Sequence, residues 1–436
     1  MENKRQNSLT LATNGLIVTA RAGGAESSER HRRDLADAAA ALLNAGAAAR
    51  SVNGFGVLDE RGELRDEGGK VGTRTTARAT YAYCLASLWN PQEYGHLGQH
   101  GVASLLRLRG GDGLWMTDSV SPHAARSAYD HAFVLLAACS AAKAGTPRAD
   151  TLLDQAAGVV ARSFWDDLTG RCIDELDAST GAVASYRGAN GSMHMVEAFL
   201  AAHDATGDKA WRMRASSIIN HLVLDVARRD FWRMPEHFDA EWRITDTYNA
   251  SSPYDRFKPP GRTPGHGLEW ARLCIHLHAQ TGDDALLEAA KRLYARAVED
   301  GWRDGRGWLY TTRPDGRPWV MLRPHWVVTE ALGTAWMLLQ STGDQAYAAW
   351  YELFWKHAVD DYIDPLNGTW RHELDVTGRP SFFISGGQRT DVYHSLQALL
   401  IPRCKSGSSV LGMVSEARDD LLRTTGNAVT ADTRPR

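Results

Sequence analysis

One short stretch of the chain, Thr263–Trp270, combines residue types and spacing that suit proton-transfer chemistry. Pro264 favours the first turn of a helix, because its ring sets a helical φ and it lacks the N–H that a first turn leaves unpaired. His266 then lies in that turn, where the helix dipole opposes a positive imidazole by about 0.3–1 kcal/mol and favours the neutral ring that a general base needs. Glu269 follows on the same helix face, and we expect it to orient the ring. The alternative is a packed histidine beside a surface glutamate.

Two histidine–glutamate pairs raise the question of a metal site. His194 with Glu197 and His266 with Glu269 share the spacing His-x-x-Glu, whereas di-metal sites in helical bundles use Glu-x-x-His together with further glutamates. We therefore predict no metal and no other cofactor, with an EDTA titration as the test. A glycosidase would need two carboxylates about 5–9.5 Å apart across a bond, and histidines outnumber carboxylates at the candidate positions.

Composition and charge narrow the class of protein. The chain has 436 residues, of which 43% are apolar and 23% charged, with a formal net charge of −3. These values are typical of a globular protein with a full core and give no indication of nucleic acid or a membrane as partner. The five cysteines are scattered and form no Cys-x-x-Cys pair, which argues against a disulfide framework or a zinc ribbon. We recognise no targeting sequence or membrane span and expect a cytoplasmic protein.

Apolar residues recur at helical spacing along most of the chain and predict twelve helices. The predicted helices are 29–50, 73–89, 94–108, 126–145, 148–164, 190–206, 208–228, 264–281, 284–300, 325–342, 344–361 and 389–401. Three connections read Thr-Gly-Asp, at 206–208, 281–283 and 342–344, a pattern in which glycine ends one helix and aspartate caps the next. The alternation of such short turns with long, hairpin-like loops indicates repeated helical hairpins.

These repeats predict an all-α protein built as a single (α/α)6 barrel, with short hairpins in the long loops. We expect the alanine-rich even-numbered helices inside and the odd-numbered helices outside, with an open solenoid as the alternative. Residues 29–403 would form this catalytic domain. Residues 1–28 are predicted to be a flexible N-terminal segment and residues 404–436 a loose or partly helical C-terminal tail, because both are polar and lack sustained periodicity.

The first turns of the inner helices lie on one rim of such a barrel, so their polar residues should converge on one pocket. In chain order these residues are Arg78, Tyr129, Asp130, His131, Asn190, His194, His266, Glu269, His325, Trp326, Glu330, Asp391, Tyr393 and His394. Neutral histidines suit proton abstraction beside a sugar carbonyl, and Arg78 would stabilise the charge of an enediolate.

The same segments resemble the N-acylglucosamine 2-epimerase superfamily, particularly its mannose isomerase and sulfoquinovose isomerase branch. The resemblance spans about residues 30–403 and rests on six motifs. These are Thr76-Ala-Arg78, Tyr129-Asp-His-Ala-Phe133, Asn190-Gly-Ser-Met-His194, Glu236-His-Phe238, Thr263-Pro-Gly-His-Gly-Leu-Glu-Trp270 and Asp391-Val-Tyr-His-Ser-Leu-Gln397. The resemblance implies an (α/α)6 barrel that interconverts free sugars without a metal.

The resemblance also implies roles for individual residues. His266 and His394 would be the acid–base pair working through a cis-enediolate, and His194 would assist opening of the sugar ring. Arg78 would bind oxygens near C1 and C2, and Glu269 would orient or tune a histidine. Further pocket residues by the same resemblance are Tyr129, Asn190, Trp326 and Arg256. The histidines expected to be structural or to act indirectly are His131, His237 and His325.

The expected function is an aldose–ketose isomerase that interconverts D-mannose and D-fructose, with D-lyxose and D-xylulose as a further pair. It would act on monosaccharides as a monomer or homodimer. Delivery of the proton to the opposite face of C2 would instead give a sugar 2-epimerase of the mannose/glucose or N-acylglucosamine type, and the motifs do not separate these outcomes. A sulfoquinovose isomerase would need a basic patch, which Arg256, Lys258 or Arg262 offers. The remaining alternatives are a protein-binding role and a glycoside hydrolase.

Overall fold

A computed structural model describes residues 25–65, 68–303, 307–366, 368–389 and 391–425, without the side chains of residues 25–27 and 425. These residues form thirteen α-helices: α1 (Ala25–Gly46), α2 (Thr73–Ser87), α3 (Pro91–Arg107), α4 (Ala128–Lys143), α5 (Ala149–Ser163), α6 (Ala189–Thr206), α7 (Lys209–Ile219), α8 (Pro264–Thr281), α9 (Asp284–Gly301), α10 (His325–Thr342), α11 (Gln345–His357), α12 (Val392–Leu400) and α13 (Val410–Thr425). Two outer helices continue as π-helix, α7 over Asn220–Ala227 and α11 over Ala358–Tyr362. All twelve predicted helices are present. The last of them begins at Val392 rather than residue 389, because the Asp391 side chain caps it.

Two concentric rings of helices make up the barrel. Helices α2, α4, α6, α8, α10 and α12 pack side by side in that order, and α12 contacts α2 to close the inner ring. Helices α3, α5, α7, α9 and α11 each pack outside the inner helix that precedes them, and α1 packs outside α12. The predicted (α/α)6 barrel is therefore confirmed, and the ring is closed rather than an open solenoid.

Side-chain size and polarity explain which helices lie inside. Helix α4 is buried at every position from Asp130 to Ala141, and its many alanines allow neighbouring helices to approach closely on both sides. Helix α9 instead buries one stripe that includes Leu286, Ala290 and Leu293 and exposes the opposite face. An amphipathic stripe of this kind is typical of a helix with a core on one side and water on the other.

The three Thr-Gly-Asp turns fold as their sequence indicates. Between α8 and α9, Gly282 has a φ of 74°, in the left-handed region that favours glycine. The Asp283 side chain then accepts a hydrogen bond from the Ala285 N–H at 2.9 Å and caps α9. The turns at 206–208 and 342–344 repeat this geometry. All three lie where inner helices end, so the long loops lie on the opposite rim, where inner helices begin.

Short strands in the long loops form seven antiparallel pairs within the described chain. The pairs are Arg50–Ser51 with Gly54–Phe55, Arg126–Ser127 with Glu175–Leu176, Trp165–Asp166 with Arg171–Cys172, Arg187–Gly188 with His237–Phe238, Trp302–Arg303 with Gly307–Trp308, Thr311–Thr312 with Pro318–Val320, and Arg323–Pro324 with Glu373–Leu374. Short hairpins in the long loops are thus confirmed, although three of the pairs join two different loops.

The pairs between loops tie the start of an inner helix to the next loop along the chain. At the start of α6, the Ala189 N–H donates a hydrogen bond to the Glu236 carbonyl oxygen at 2.9 Å. At the start of α10, the His325 N–H donates to the His372 carbonyl oxygen at 2.9 Å. These first-turn N–H groups have no partner within their own helix. Their bonds therefore hold Glu236 and His372 beside the helix starts, where the pocket lies.

The C-terminal segment, predicted as a loose or partly helical tail over residues 404–436, is helical over Val410–Thr425 and packs on the barrel. Helix α13 packs on α1 and α6 and buries Leu411, Val414 and Leu421. Before it, the Gly407 carbonyl oxygen accepts a hydrogen bond from the His276 ring on α8 at 2.7 Å. Although this segment is polar overall, the buried residues of α13 form a narrow apolar stripe. With this stripe, α13 packs on the end of the barrel away from the long loops.

The two ends of the chain are only partly described. Residues 1–24 of the predicted flexible segment and residues 426–436 of the predicted tail lie outside the described residues, while residues 25–28 belong to α1. Across the described ranges, every helix is too short or too polar to cross a lipid bilayer.

Candidate active site

A polar pocket opens on the rim where the inner helices begin. It is lined by all nine site residues predicted from the sequence, namely Arg78, Tyr129, Asn190, His194, Arg256, His266, Glu269, Trp326 and His394. Its walls also include Arg74, Phe257, Tyr310, His325, His372, Glu373 and Asp391. Polar groups converge here with aromatic rings from several helix starts, an arrangement typical of a small-molecule site.

His266 is held from behind by a buried carboxylate. Its Nδ1 lies 2.8 and 2.9 Å from the two carboxylate oxygens of Glu236, and since a carboxylate only accepts, Nδ1 carries the proton. In the neutral ring, Nε2 is therefore the nitrogen that can take a proton. Burial would raise the pKa of Glu236, but the His266 ring and its hydrogen bond lower that pKa. The indole of Trp326 stacks on the His266 ring with centroids 5.1 Å apart.

His394, on α12, is held in the same way as His266: a buried carboxylate binds its Nδ1, and its ring contacts Trp326. Its Nδ1 lies 3.0 Å from Oε1 of Glu330 on α10, and its ring centroid lies 5.8 Å from that of Trp326. Burial would raise the pKa of Glu330, but Arg272 and the bond to His394 lower it. The pocket therefore contains two imidazoles that contact one indole, and each has Nδ1 bound to a buried carboxylate.

Glu269 does not orient His266, in contrast to the expectation from their spacing. Glu236 fills that role, and Glu269 lies one turn deeper, 3.6 Å from Nδ1 of His194 and 3.5 Å from Arg272. Helical spacing does not reveal Glu236, because it lies 30 residues before His266, in the long loop that leads into α8. Its only signal was the motif Glu236-His-Phe238.

A buried network of charges forms the floor of the pocket. The Arg272 guanidinium lies 2.8 Å from Glu330, 3.5 Å from Glu269 and 3.6 Å from Glu197. Burial and the nearby Glu330 raise the pKa of Glu269 well above its ordinary value, which favours a protonated carboxyl group. Burial would also raise the pKa of Glu197, but the adjacent His194 ring and the charge of Arg272 lower it.

Two overlapping groups in this network have the composition of a metal site. The first group is His194, Glu197 and Glu269, and the second is Glu269, Glu330 and His394. In each group the ligand atoms lie within 4.8 Å of one another. Arg272 already places a positive charge against all three glutamates. A divalent cation would lie beside that guanidinium and compete for the same oxygens, so the residues fit an internal ion-pair network better than a cation site.

Arg78 forms a positive wall of the pocket. Its guanidinium lies 3.2 Å from Oδ2 of Asp391 and donates to the Tyr129 hydroxyl at 2.9 Å. Burial would lower the pKa of Arg78, but Tyr129 and Asp391 raise it above its ordinary value. A guanidinium held in this way is suited to binding sugar oxygens on which negative charge develops.

His194 is a buried neutral base between aromatic and acidic groups. Burial lowers its pKa to about 4, although Glu197 opposes the shift. Its Nδ1 lies 3.5 Å from Glu197 and has no hydrogen-bond partner among the described residues. Its ring packs edge-on against Tyr129, with centroids 4.9 Å apart.

The remaining predicted residues belong to the mouth of the pocket. Asn190 donates to the Phe257 carbonyl oxygen at 3.3 Å, and Arg256 donates to the Gln388 side chain at 2.6 Å. The Arg256 bond joins two long loops across the pocket. Lys258 instead forms an ion pair with a glutamate of a neighbouring loop.

The three histidines expected to be structural divide into two groups. His131 and His237 use both ring nitrogens in bonds to protein groups, as their expected role requires. His325 lines the pocket, and among the described residues only its Nδ1 has a hydrogen-bond partner.

Comparisons with known proteins place the chain among sugar epimerases and isomerases. The family model for N-acylglucosamine 2-epimerase (GlcNAc 2-epimerase) matches residues 54–398. The chain is 43% identical to a D-mannose isomerase of Thermobifida fusca over 88% of this chain and 97% of that protein. It is 39% identical to a D-mannose isomerase of Pseudomonas cannabina pv. alisalensis over 86% of this chain and 93% of that protein.

Solved structures show the same barrel. A crystal structure of a D-mannose isomerase aligns with a TM-score of 0.80 at 25% identity, covering 87% of this chain and 99% of the other. A cellobiose 2-epimerase from Bacillus thermoamylovorans aligns with a TM-score of 0.71 at 16% identity, covering 87% of this chain and 100% of the other. At that identity the second match shows the fold alone.

Proposed function

The chain belongs to the N-acylglucosamine 2-epimerase family and is a sugar isomerase, and we propose that it interconverts D-mannose and D-fructose through a cis-enediolate without a metal. The observation that carries this proposal is the pair of imidazoles, His266 and His394, in one pocket. Each has its Nδ1 proton bound by a buried carboxylate, which leaves Nε2 as the proton-transfer atom. A matched pair of this kind can serve as acid and base in both directions.

The proposed reaction moves one proton between two carbons. A histidine takes the proton from C2 of the open aldose, and the carbonyl oxygen at C1 becomes part of an enediolate. The proton returns to C1, the O2 hydroxyl loses its proton as C2 becomes the carbonyl carbon, and O1 ends as a hydroxyl. Arg78 would stabilise the enediolate oxygens, and Glu269, as a protonated acid, would donate to a developing negative oxygen. His194 would accept the proton of the anomeric O1 hydroxyl as C1–O5 breaks and C1=O1 forms, and would pass that proton to the ring oxygen O5, which becomes the C5 hydroxyl.

D-Lyxose should be a second substrate. It has the same configuration as D-mannose at C2, C3 and C4 and lacks only the terminal carbon. The proposed chemistry acts at C1 and C2, so loss of that carbon removes binding contacts and leaves the reacting atoms unchanged.

Sulfoquinovose is a second candidate substrate because two guanidinium groups at the pocket lack a carboxylate partner among the described residues. Arg256 bonds the neutral Gln388, and Arg74 packs over the Phe257 ring at 4.0 Å. The other two basic residues that the sequence suggests for a sulfonate are already paired. Lys258 lies 2.6 Å from a glutamate, and Arg262 lies 2.8 and 2.7 Å from two aspartates.

The proposed function is tested by NMR of the protein with D-mannose in D2O containing EDTA. We expect D-fructose that carries deuterium at C1, at a rate that EDTA does not change, because solvent exchanges with the histidine proton while the enediolate exists. D-Lyxose and sulfoquinovose are compared in parallel samples.

Each other outcome changes the assignment. D-Glucose as the first product would identify a 2-epimerase that uses the same residues. Faster turnover of sulfoquinovose than of D-mannose would assign the second candidate. Loss of activity in EDTA, restored by a divalent metal, would overturn the metal-free mechanism, and inactivity towards all three sugars would overturn the proposed substrates.

Glu236→Gln should lower kcat by at least about tenfold and up to about 10⁴-fold, because an amide NH2 can donate to Nδ1 of His266 and place the ring proton on the wrong nitrogen. The acidic limb of the pH profile of kcat/KM should also move to lower pH, since no carboxylate then stabilises the positive ring. Kinetics from about pH 5 to pH 9 measure both effects.

Glu175→Gln is the matched control. Glu175 lies in the strand that pairs beside the start of α4, just as the strand directly after Glu236 pairs beside the start of α6. Glu175 bonds Lys258 rather than a histidine. An unchanged pH profile in Glu236→Gln, or an equal loss of kcat in Glu175→Gln, would show that Glu236 does not position the base.

A further inference from the structure

Two histidine rings stack face to face in the wall of the pocket. The His325 and His372 centroids lie 4.4 Å apart, and the ring planes differ by 8°. Both rings are buried and both line the pocket. His325 begins α10 and His372 belongs to the next long loop, so the backbone bond between these two residues fixes the stack.

Hydrogen bonds identify the tautomer of each ring. His325 Nδ1 lies 3.2 Å from the His372 carbonyl oxygen, which only accepts, so Nδ1 carries the proton and Nε2 is an acceptor. The Asp391 N–H donates to His372 Nε2 at 3.2 Å, so the His372 proton is on Nδ1. Burial lowers the pKa of His325 to about 4 and that of His372 well below its ordinary value, so both rings are neutral near pH 7.

His325 Nε2 is a buried acceptor without a hydrogen-bond partner among the described residues. His131, which lies in the first turn of α4, uses both nitrogens: it accepts from the Trp115 N–H and donates to the Ser127 carbonyl oxygen. A buried polar atom left unpaired costs free energy. The difference between the two rings therefore indicates a ligand role for His325 Nε2.

The groups around His325 Nε2 select the chemistry of that ligand. Oδ2 of Asp391 lies 3.9 Å from His325 Nε2 and 3.2 Å from Arg78 Nη1. An anion would be repelled by the Nε2 lone pair of His325 and the carboxylate of Asp391, and a cation would be repelled by the guanidinium of Arg78. A hydroxyl group suits all three, because it donates to His325 Nε2 or Asp391 and accepts from Arg78.

We propose that His325, His372 and Asp391 form a subsite that binds one hydroxyl of the sugar beyond C1 and C2 and so decides which aldoses are accepted. His325 Nε2 accepts a hydrogen bond from that hydroxyl. The stacked His372 ring and the backbone hydrogen bond between His325 and His372 hold the His325 ring in place. This inference rests on the proposed function for the identity of the ligand as an aldose, but the hydroxyl specificity follows from the stacked histidines.

The test compares D-mannose with its 3-, 4- and 6-deoxy analogues as substrates and, by calorimetry, as ligands. The wild-type protein should discriminate against one analogue by at least about tenfold in kcat/KM, because loss of one hydroxyl leaves His325 Nε2 unpaired. His325→Phe keeps the aromatic stack and removes the acceptor, so it should treat that analogue and D-mannose alike within about twofold. His325→Gln supplies an amide oxygen near the Nε2 position and should restore part of the discrimination.

His131→Phe is the matched control, since it removes a buried histidine outside the pocket and should leave the discrimination intact. Equal use of all deoxy analogues by the wild-type protein, or unchanged discrimination in His325→Phe, would overturn the subsite. If D-mannose binds but is not converted, the proposed function fails while calorimetry still tests the subsite. If none of these sugars binds, the subsite proposal fails as well.

Discussion

Alanine in place of His266 or His394 should lower kcat for D-mannose by about 10²–10⁴-fold or more, because each substitution removes one of the two groups that carry the proton. Each histidine is fixed by its own buried carboxylate, Glu236 or Glu330, so neither can replace the other. Water admitted to the space left by the ring is a far weaker base than imidazole. KM should change much less than kcat, since other groups in the pocket also bind the sugar.

Two measurements separate loss of chemistry from loss of structure. Circular dichroism and the thermal midpoint should show that both variants remain folded, and deuterium exchange at C2 should disappear together with turnover. His131→Ala, which also removes a buried imidazole from the start of an inner helix, should retain kcat within about tenfold. Near-normal turnover in His266→Ala or His394→Ala would remove that residue from the mechanism.

The barrel is predictable because its signals are local. The turn at 281–283 combines a helix-ending glycine with a capping aspartate, and both features depend on neighbouring residues alone. Alanine-rich helices at a regular spacing then leave a closed double ring as the arrangement that buries them. The same reasoning places the first turns on one rim, and the nine predicted residues do meet there.

The partners of the catalytic candidates are not predictable in this way, because they come from other repeats. Glu269 shares a helix with His266, yet the helix rise places it a turn deeper, against Arg272. Glu236 reaches His266 because backbone pairing ties its segment to the start of α6 and to Arg262, just before α8. Helical periodicity describes neighbours along one helix, whereas such contacts depend on how two loops pair.

His325 shows a related limit. A histidine in the first turn of a buried helix is most often satisfied by protein groups, and His131 follows that rule. His325 departs from it because its second nitrogen has no hydrogen-bond partner among the described residues, although Asp391 lies 3.9 Å away. Both residues are histidines in the first turn of an inner helix, so the three-dimensional structure is needed to separate them.

Arg272→Met should produce the largest loss of stability, about 3–5 kcal/mol in the free energy of unfolding, because it removes the cation from a buried cluster of three glutamates. Methionine fills a similar volume, so the loss reflects charge rather than a cavity. The variant's deficit should also depend on pH. Without Arg272, burial and mutual repulsion raise the folded-state pKa of the glutamates, so their protonation stabilises the folded protein at low pH and the stability falls as pH rises. The deficit should therefore be smaller at about pH 5 than at about pH 8.

Arg292→Met is the matched control for Arg272→Met. Arg292 bonds Glu288 at 2.8 Å on the outer helix α9, but its side chain is 63% exposed, and an exposed pair of this kind contributes no more than about 1 kcal/mol. Urea denaturation of both variants at the two pH values measures the difference. A deficit independent of pH would indicate lost packing rather than uncompensated charge. Stability equal to the wild type would contradict the predicted loss and would mean that the glutamates become neutral by taking up protons. His394 would then lose its anionic partner Glu330. A fall in kcat without a fall in stability would in that case connect Arg272 to the active site.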